Sequence, residues 1–220
     1  MTWASGVLSV GELAQLVRRR ARKQPGNRRF LLGLAGPPGA GKSTLARRLV
    51  DELGDAVVAP MDGYHLRNEV LIERDARARK GEPDTFDAAG FVADLRTLRA
   101  SAIGDEVPWP TFDRAIDEPT PAGVIVRDEP IVIVEGNYLL LNDPAWAPVR
   151  GLLDGCWYVD APHHVLAERL RHRHVVGGRT PDEAEAKVRN SDLRNADLIA
   201  SSRHRADQVL VAVGSQYRMS

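Results

Sequence analysis

Cysteine is nearly missing from this 220-residue sequence, where Cys156 stands alone. A lone cysteine closes no internal disulfide, and no Cys/His cluster of zinc spacing surrounds it, so a reducing setting is expected. Cys156 itself falls in the β-like run Gly155-Cys156-Trp157-Tyr158-Val159 and reads as a small buried hydrophobe. Lysine is scarce, confined to Lys23, Lys42, Lys80 and Lys187, and of these only Lys42 is expected to matter for chemistry. An excess of either charge is also lacking: 30 basic residues face 30 acidic ones, which removes any global electrostatic case for a nucleic-acid or membrane partner. No run of about 18 apolar residues is present to span a bilayer. Met1 to Val10 lacks the basic start and apolar centre of a signal peptide, so a cytoplasmic protein is expected. Neither an internal repeat nor a low-complexity linker interrupts the chain, and the length suits one domain over residues 1–220.

What is present alternates. Gly11 to Gln24 carries Leu13, Leu16 and Val17 on one face of an amphipathic helix, stopped by Pro25-Gly26-Asn27, and defines an N-terminal helical segment over 1–28. Its basic run Arg18 to Lys23 has no interleaved aromatics for stacking, which favours a solvated helix face over a nucleic-acid site. Apolar strands are expected at Phe30–Ala35, Ala56–Ala59, Gly123–Arg127, Pro130–Val134, Cys156–Val159 and Val209–Val213. Helices are expected at Ser43–Leu53, Asn68–Lys80, Ala88–Ala100 with Asp87 as its cap, His164–His174 and Pro181–Arg194. Val107-Pro108-Trp109-Pro110 is too proline-rich for a central strand. Such alternation predicts an α/β fold with a mainly parallel, five-stranded sheet flanked by helices.

Gly36-Pro37-Pro38-Gly39-Ala40-Gly41-Lys42-Ser43 fits G-x-x-x-x-G-K-[ST] in full, between an expected strand and an expected helix. Glycines let successive backbone N–H groups turn inward on an anion, and the helix that follows from Thr44 adds its positive end. Lys42 then reaches the β and γ phosphates of ATP, and Ser43 can ligate Mg²⁺. Two rival P-loop classes lack support. The guanine-reading N-K-x-D is absent, the D-x-x-G matches at Asp51 and Asp87 fall at or inside helices, and no L-S-G-G-Q-like transporter signature appears. A small-molecule kinase remains.

Glu135 closes the apolar strand Ile131–Val134, where a P-loop enzyme places an acid for Mg²⁺, and a carboxylate at so apolar a tip needs a partner to offset desolvation. Arg169 and Arg173 share a helix face, and with Arg171, Arg179 and the pair Gly177-Gly178 they suggest a helical lid over residues 168–182 that neutralises a moving phosphoryl group. His163, His164, His172 and His174 lack the carboxylate or cysteine pattern of a metal site. Asp62-Gly63, after the apolar Val57-Val58-Ala59, reads locally as a turn in which glycine accepts positive φ.

Five motifs in order resemble the phosphoribulokinase/uridine kinase family of P-loop kinases, which also takes in bacterial type I pantothenate kinase. They are Gly36 to Thr44, Met61-Asp62-Gly63-Tyr64-His65, Lys80 to Asp87, Pro110-Thr111-Phe112-Asp113-Arg114, and Val134 to Leu140, spread over residues 30–179. Asn190-Ser191-Asp192-Leu193-Arg194-Asn195-Ala196 is similar to a segment of a branch called nucleoside/nucleotide kinase family proteins, some labelled fructose-transport kinases. The resemblance implies that Asp62 accepts the proton of the acceptor hydroxyl, that Glu135 is the magnesium-linked acid, that Arg114 touches substrate and that Arg169 and Arg173 are lid arginines. Residues 62–122 are expected to form a substrate-binding insertion in which Tyr64, His65, Phe86, Trp109, Phe112 and Arg114 line an acceptor pocket, with Tyr138 as a further substrate contact. Asp117 stands where uridine kinases usually have a base-reading histidine, and pantothenate kinases are considerably longer, so the resemblance leaves the acceptor open. The expected function is transfer of the γ-phosphate of Mg·ATP to a hydroxyl of a nucleoside such as uridine, a pantothenate-like acid or a sugar. The expected partner is that small molecule, with no nucleic acid or membrane, and a homodimer is left open. The alternative is an ATP-binding regulatory module, without transfer activity, tied to sugar uptake.

Overall fold

The computed structural model describes residues 6–220. In chain order the strands are β1 (Gly6–Leu8), β2 (Phe30–Ala35), β3 (Ala56–Pro60), β4 (Val107–Asp113), β5 (Glu118–Val126), β6 (Ile131–Gly136), β7 (Gly155–Asp160), β8 (Gln208–Val213) and β9 (Gln216–Met219). The helices are α1 (Val10–Ala21), α2 (Lys42–Leu53), α3 (Asn68–Glu73), α4 (Ala88–Ala100), α5 (Val149–Leu152), α6 (His163–Val176), α7 (Pro181–Lys187) and α8 (Leu193–Ser201).

The main sheet has the order β1-β9-β8-β7-β2-β6-β3. β3, β6, β2, β7 and β8 run parallel and correspond to five of the six strands expected, and β9 and β1 then add in antiparallel sense. The expected five-stranded sheet is therefore seven-stranded among the described residues. The signal for β9 was present in its alternation, since Tyr217 and Met219 are buried between exposed Gln216 and Arg218. β2 and β6 are buried at every position, as continuous apolar strands covered on both faces must be. Their pleat sends Leu31, Ala35, Val132 and Val134 to one core with Phe91, Leu95, Trp109 and Trp146. It sends Leu32, Leu34, Ile131 and Ile133 to the other, against Leu13 and Val17 of α1 and Leu45 and Leu49 of α2. Each such side chain, fully buried, is worth about 1.5–3 kcal/mol, so the sheet is held on both sides and its strand ends are fixed.

Three local readings change. The Gly123–Arg127 strand begins earlier, at Glu118, and pairs not with the main sheet but with β4 as a separate antiparallel ribbon. Pro108, Pro110, Pro119 and Pro121 are tolerated there because a two-stranded ribbon has open edges and a bulge between Trp109 and Thr111. The Asn68–Lys80 helix stops at Glu73; Asp75 turns left-handed (φ 50°) and a 3₁₀ turn follows at Arg77–Arg79. The Pro181–Arg194 helix is interrupted by a π-turn at Val188–Asp192 before α8 carries it on to Ser201. Asp87 does cap α4, accepting from the Gly90 amide at 2.9 Å.

Candidate active site

The pairing register places three strand ends side by side. Glu135 of β6 pairs with Leu34 of β2 on one side and with Pro60 of β3 on the other. The P-loop leaves β2 one residue after Ala35, and Asp62 lies two residues past Pro60, so loop, Glu135 and Asp62 occupy one rim at the carboxyl ends of parallel strands. That rim is where open α/β sheets bind ligands.

Backbone shape sets the P-loop. Gly36 has φ 141°, and a Cβ there would lie 2.2 Å from the Val159 carbonyl oxygen of β7, so only glycine lets the chain leave β2 at this point. α2 starts from Gly41 with no side-chain cap, which leaves its first N–H groups turned toward the loop's concavity for an anion. Lys42, 5 % exposed, donates from Nζ to Pro37 O (3.0 Å) and to Asn137 Oδ1 (2.8 Å). Burial lowers its pKa, while Glu135 and Asp62 pull it back up. Glu135 is raised for the same first reason, desolvation, opposed by Lys42 and by a hydrogen bond that Ser43 Oγ donates to its Oε1 at 3.2 Å. Among the described residues no three or more His, Cys, Asp and Glu side chains converge as a metal cage. Mg²⁺ asks for no such cage: one or two oxygen ligands beside substrate phosphates suffice, and the Ser43–Glu135 pair offers hard oxygens of that kind.

The Asp62 turn is built by contact. Met61–Tyr64 forms one 3₁₀ turn, and Gly63 is required not for positive φ, as the sequence suggested, but for space: its Cβ would meet Pro110 O at 2.2 Å. Trp109 locks β4 over the turn by donating Nε1–H to Pro60 O at 3.0 Å. Asp62 Oδ2 pairs with Arg114 Nη2 at 3.2 Å. His65 donates Nδ1–H to Asp62 O at 2.7 Å, and desolvation lowers its pKa so that the neutral ring is favoured. Its ring packs on Phe86 and Phe112, with centroids 4.0 and 4.7 Å away.

One cleft of about 1760 Å³ joins these parts. Of the residues singled out from sequence, Pro38 to Thr44, Asp62, His65, Phe112, Arg114, Glu135, Arg169 and Arg173 line it. Arg169 donates to Gly39 O at 2.9 Å, and Arg171 points elsewhere, to Glu185 at 2.5 Å. Tyr64, Phe86, Trp109 and Tyr138 are corrections to the expected lining: they are buried behind the wall and stiffen it. Tyr64 donates to Asp94 at 2.8 Å, Phe86 and Tyr138 meet edge to face, and the Tyr138 hydroxyl binds Gly81 O and Asn195 Oδ1. Gly36 and Pro37 shape the loop from behind.

Sequence reasoning gave no role to Lys187, nor to Lys80, Asn137 and Asn195 although they lie in the motifs quoted above, and noted Asp117 only as a departure; all five line the cleft. Lys80 Nζ donates to Asp117 O (2.6 Å) and Asn68 Oδ1 (2.7 Å), and sits 4.9 Å from the centre of the Phe112 ring. Dismissing three of the four lysines was thus wrong for two, since Lys187 also faces the cleft. The segment Asn190–Ala196 was a signal noted without a role.

The profile of the "Phosphoribulokinase / Uridine kinase family" matches residues 31–216. The chain is 36% identical over 214 residues to the Schizosaccharomyces pombe protein named "Putative uridine kinase C227.14", covering 91% of each. It is 34% identical to "Uncharacterized protein YggC" of Escherichia coli K12, over 83% of this chain and 78% of that one. Among solved structures, a "putative fructose transport system kinase" from Silicibacter sp. TM1040 superposes with a TM-score of 0.84 at 34% identity, over 94% of this chain and all of that one. With the loop, the strand order and a match over most of its length in agreement, the chain belongs to the phosphoribulokinase/uridine kinase family of P-loop kinases.

Proposed function

We propose that the protein transfers the γ-phosphoryl group of Mg·ATP to a hydroxyl of a small polar metabolite. The observation behind this reading is the common rim: Asp62, Glu135 and the P-loop leave adjacent parallel strands at matched register. A loop alone would hold a nucleotide; a carboxylate beside it gives an acceptor proton somewhere to go. Ser43 and Glu135 would hold a magnesium ion, which would supply charge neutralisation for the phosphates.

The chain's own groups divide the work. Amides of residues 38–44 and the Lys42 ammonium cradle the phosphates, and Asn137 holds Lys42 forward through its Oδ1. Arg169 and Arg173, from α6, approach the transferring group, and residues 168–182 act as the lid. Asp62 orients the acceptor hydroxyl and takes its proton as the new O–Pγ bond forms. The bond between Pγ and the β–γ bridging oxygen breaks, and ADP leaves with the electron pair. Arg114, now paired with Asp62, must yield part of that contact to the acceptor.

The test is Asp62→Asn. With labelled ATP and a panel of nucleosides, sugars and pantothenate-like acids, kcat should fall about 10²–10⁴-fold, the usual worth of general-base catalysis. ATP affinity should stay within a few fold. Near-normal turnover would end the assignment, and tight ATP binding with no phosphorylated product from any acceptor would favour the regulatory module.

A further inference from the structure

Lys187, at the end of α7, lines the cleft without a salt bridge among the described residues, and Asp192 and Glu82 act on it from longer range against Arg179 and Arg77. Its Nζ donates to Ala78 O and to Ser191 Oγ, both at 3.1 Å and both neutral. An ammonium has three N–H donors, so one remains. Among the described residues no carboxylate comes within 4.0 Å of it to form an ion pair. The nearby acids are engaged elsewhere: Asp192 with His174 at 2.6 Å, Glu183 in the cap of α7, and Asp117 with Arg77 at 2.7 Å and Lys80 at 3.2 Å. Burial lowers the Lys187 pKa, so part of its hydration is already lost. A cation half stripped of water, with a free donor facing a cleft, is a receptor for an anion.

The aromatic side chains give the complementary exclusion. A nucleobase would need a ring to stack on. Tyr64, Phe86 and Tyr138 are buried, and the two rings that line the cleft beside Asp62, His65 and Phe112, are packed on each other, with Lys80 on Phe112 and Phe86 on His65. Tyr217 is on β9, at the P-loop side of the sheet order rather than near Asp62. Lys187 and Asn195 flank the π-turn at Val188–Asp192, and both reach the 77–82 segment, Lys187 at Ala78 O and Asn195 at Gly81 O (3.3 Å).

We propose that the acceptor is a small hydroxy compound bearing an anionic group, a carboxylate or a phosphate ester, and that Lys187 and Ser191 receive that group in the cleft whose wall they share with Lys80. This rests on the kinase reading and narrows its acceptor. Lys187 is an acceptor-binding residue, remote from the proton transfer at Asp62.

The experiment compares wild type, Lys187→Met, Lys187→Gln and Lys187→Arg, each first checked for an unchanged melting temperature. The acceptors are hydroxycarboxylates, sugar phosphates, and the uncharged sugars and nucleosides of matching size. In wild type the anionic members should be the acceptors used, and which of the two sets wins tells carboxylate from phosphate. Lys187→Met or Lys187→Gln should raise the acceptor KM about 10- to 100-fold, the size of one charge-assisted hydrogen bond. The KM for ATP and kcat should stay within about threefold, and Lys187→Arg should recover much of the loss. Calorimetric titration of the same compounds into protein saturated with Mg²⁺ and a non-hydrolysable ATP analogue separates the two readings. Lys187-dependent anion binding without transfer would defeat the kinase assignment, and with it the acceptor role, and leave only the anion site at Lys187 standing. A best acceptor that is uncharged, anion binding unaffected by Lys187, or no anion binding at all would overturn the inference.

Discussion

Nine consecutive residues, Gly36 to Thr44, supply the P-loop end of the cleft, while the Asp62 end is gathered from residues around 62, 80, 114, 187 and 195. The first is backbone: glycine torsions and unpaired amides, shaped by the strand on either side. The second is side chains meeting across long separations, Lys187 to Ala78 over 109 residues and Asn195 to Gly81 over 114. One end can change only by breaking the sheet's exit, whereas the other can be retuned by single substitutions. A family that keeps ATP and varies its acceptor needs that division.

The comparison breaks first, and most severely, at Gly36. Gly36→Ala forces a methyl into the Val159 carbonyl at an unfavourable φ, and strain with overpacking should cost about 2–5 kcal/mol in urea unfolding. ATP affinity should fall with it. Unchanged stability would mean that the loop end is as plastic as the other. Asn195→Ala should cost less, about 1 kcal/mol, because it removes the bonds to the Tyr138 hydroxyl and Gly81 O while leaving those two bonded to each other. Its sharper readout is selectivity: acceptor KM should rise while ATP affinity holds, and equal losses in both would erase the distinction between the two ends.

The smallest effect is a pH dependence at the P-loop end. Burial holds the folded pKa of Glu135 above its ordinary 4.5, so the folded state binds that proton more tightly than the unfolded chain. The associated stability is therefore full below pH 4.5 and is lost as pH rises through the folded pKa. Glu135→Gln should lack this decline and gain on wild type as pH rises, with denaturation followed from pH 4.5 to 8. In wild type the Mg²⁺ needed for half-maximal activity should climb as pH falls through the same window. A flat difference between the two proteins would show that Lys42 fully offsets the burial.

Legibility in the sequence follows the same division. The P-loop and the parallel strands could be read because their causes are local: a fixed glycine spacing, and unbroken apolar runs such as Ile131–Val134. Asp62 could be ranked only through a resemblance, since its neighbours at the rim arrive by register. Lys80 stands in a quoted motif and Lys187 in none, yet neither shows its place on the cleft locally, because the partners that hold them there, Asp117 and Ala78, come from distant segments. The π-turn left no mark either, as the buried Ala184, Val188 and Ala196 keep a helical rhythm straight through it. Tyr64, Phe86 and Tyr138 misled for the opposite reason: rings beside a site attract a binding role, yet here they pack, mostly edge to face, against one another and Phe91, Trp109 and Trp146 in the core.

The pairing of β1 with β9 sets Gly6 opposite Met219, so the two extremities of the described chain are hydrogen-bonded neighbours at one border of the sheet, far in strand order from β3 and Asp62. Connectivity and architecture are thereby separable. Bridging that border with a few residues and opening the backbone in an exposed surface turn would yield a reordered gene product with every strand in its present place. The rim of β2, β6 and β3 would be untouched by the rearrangement.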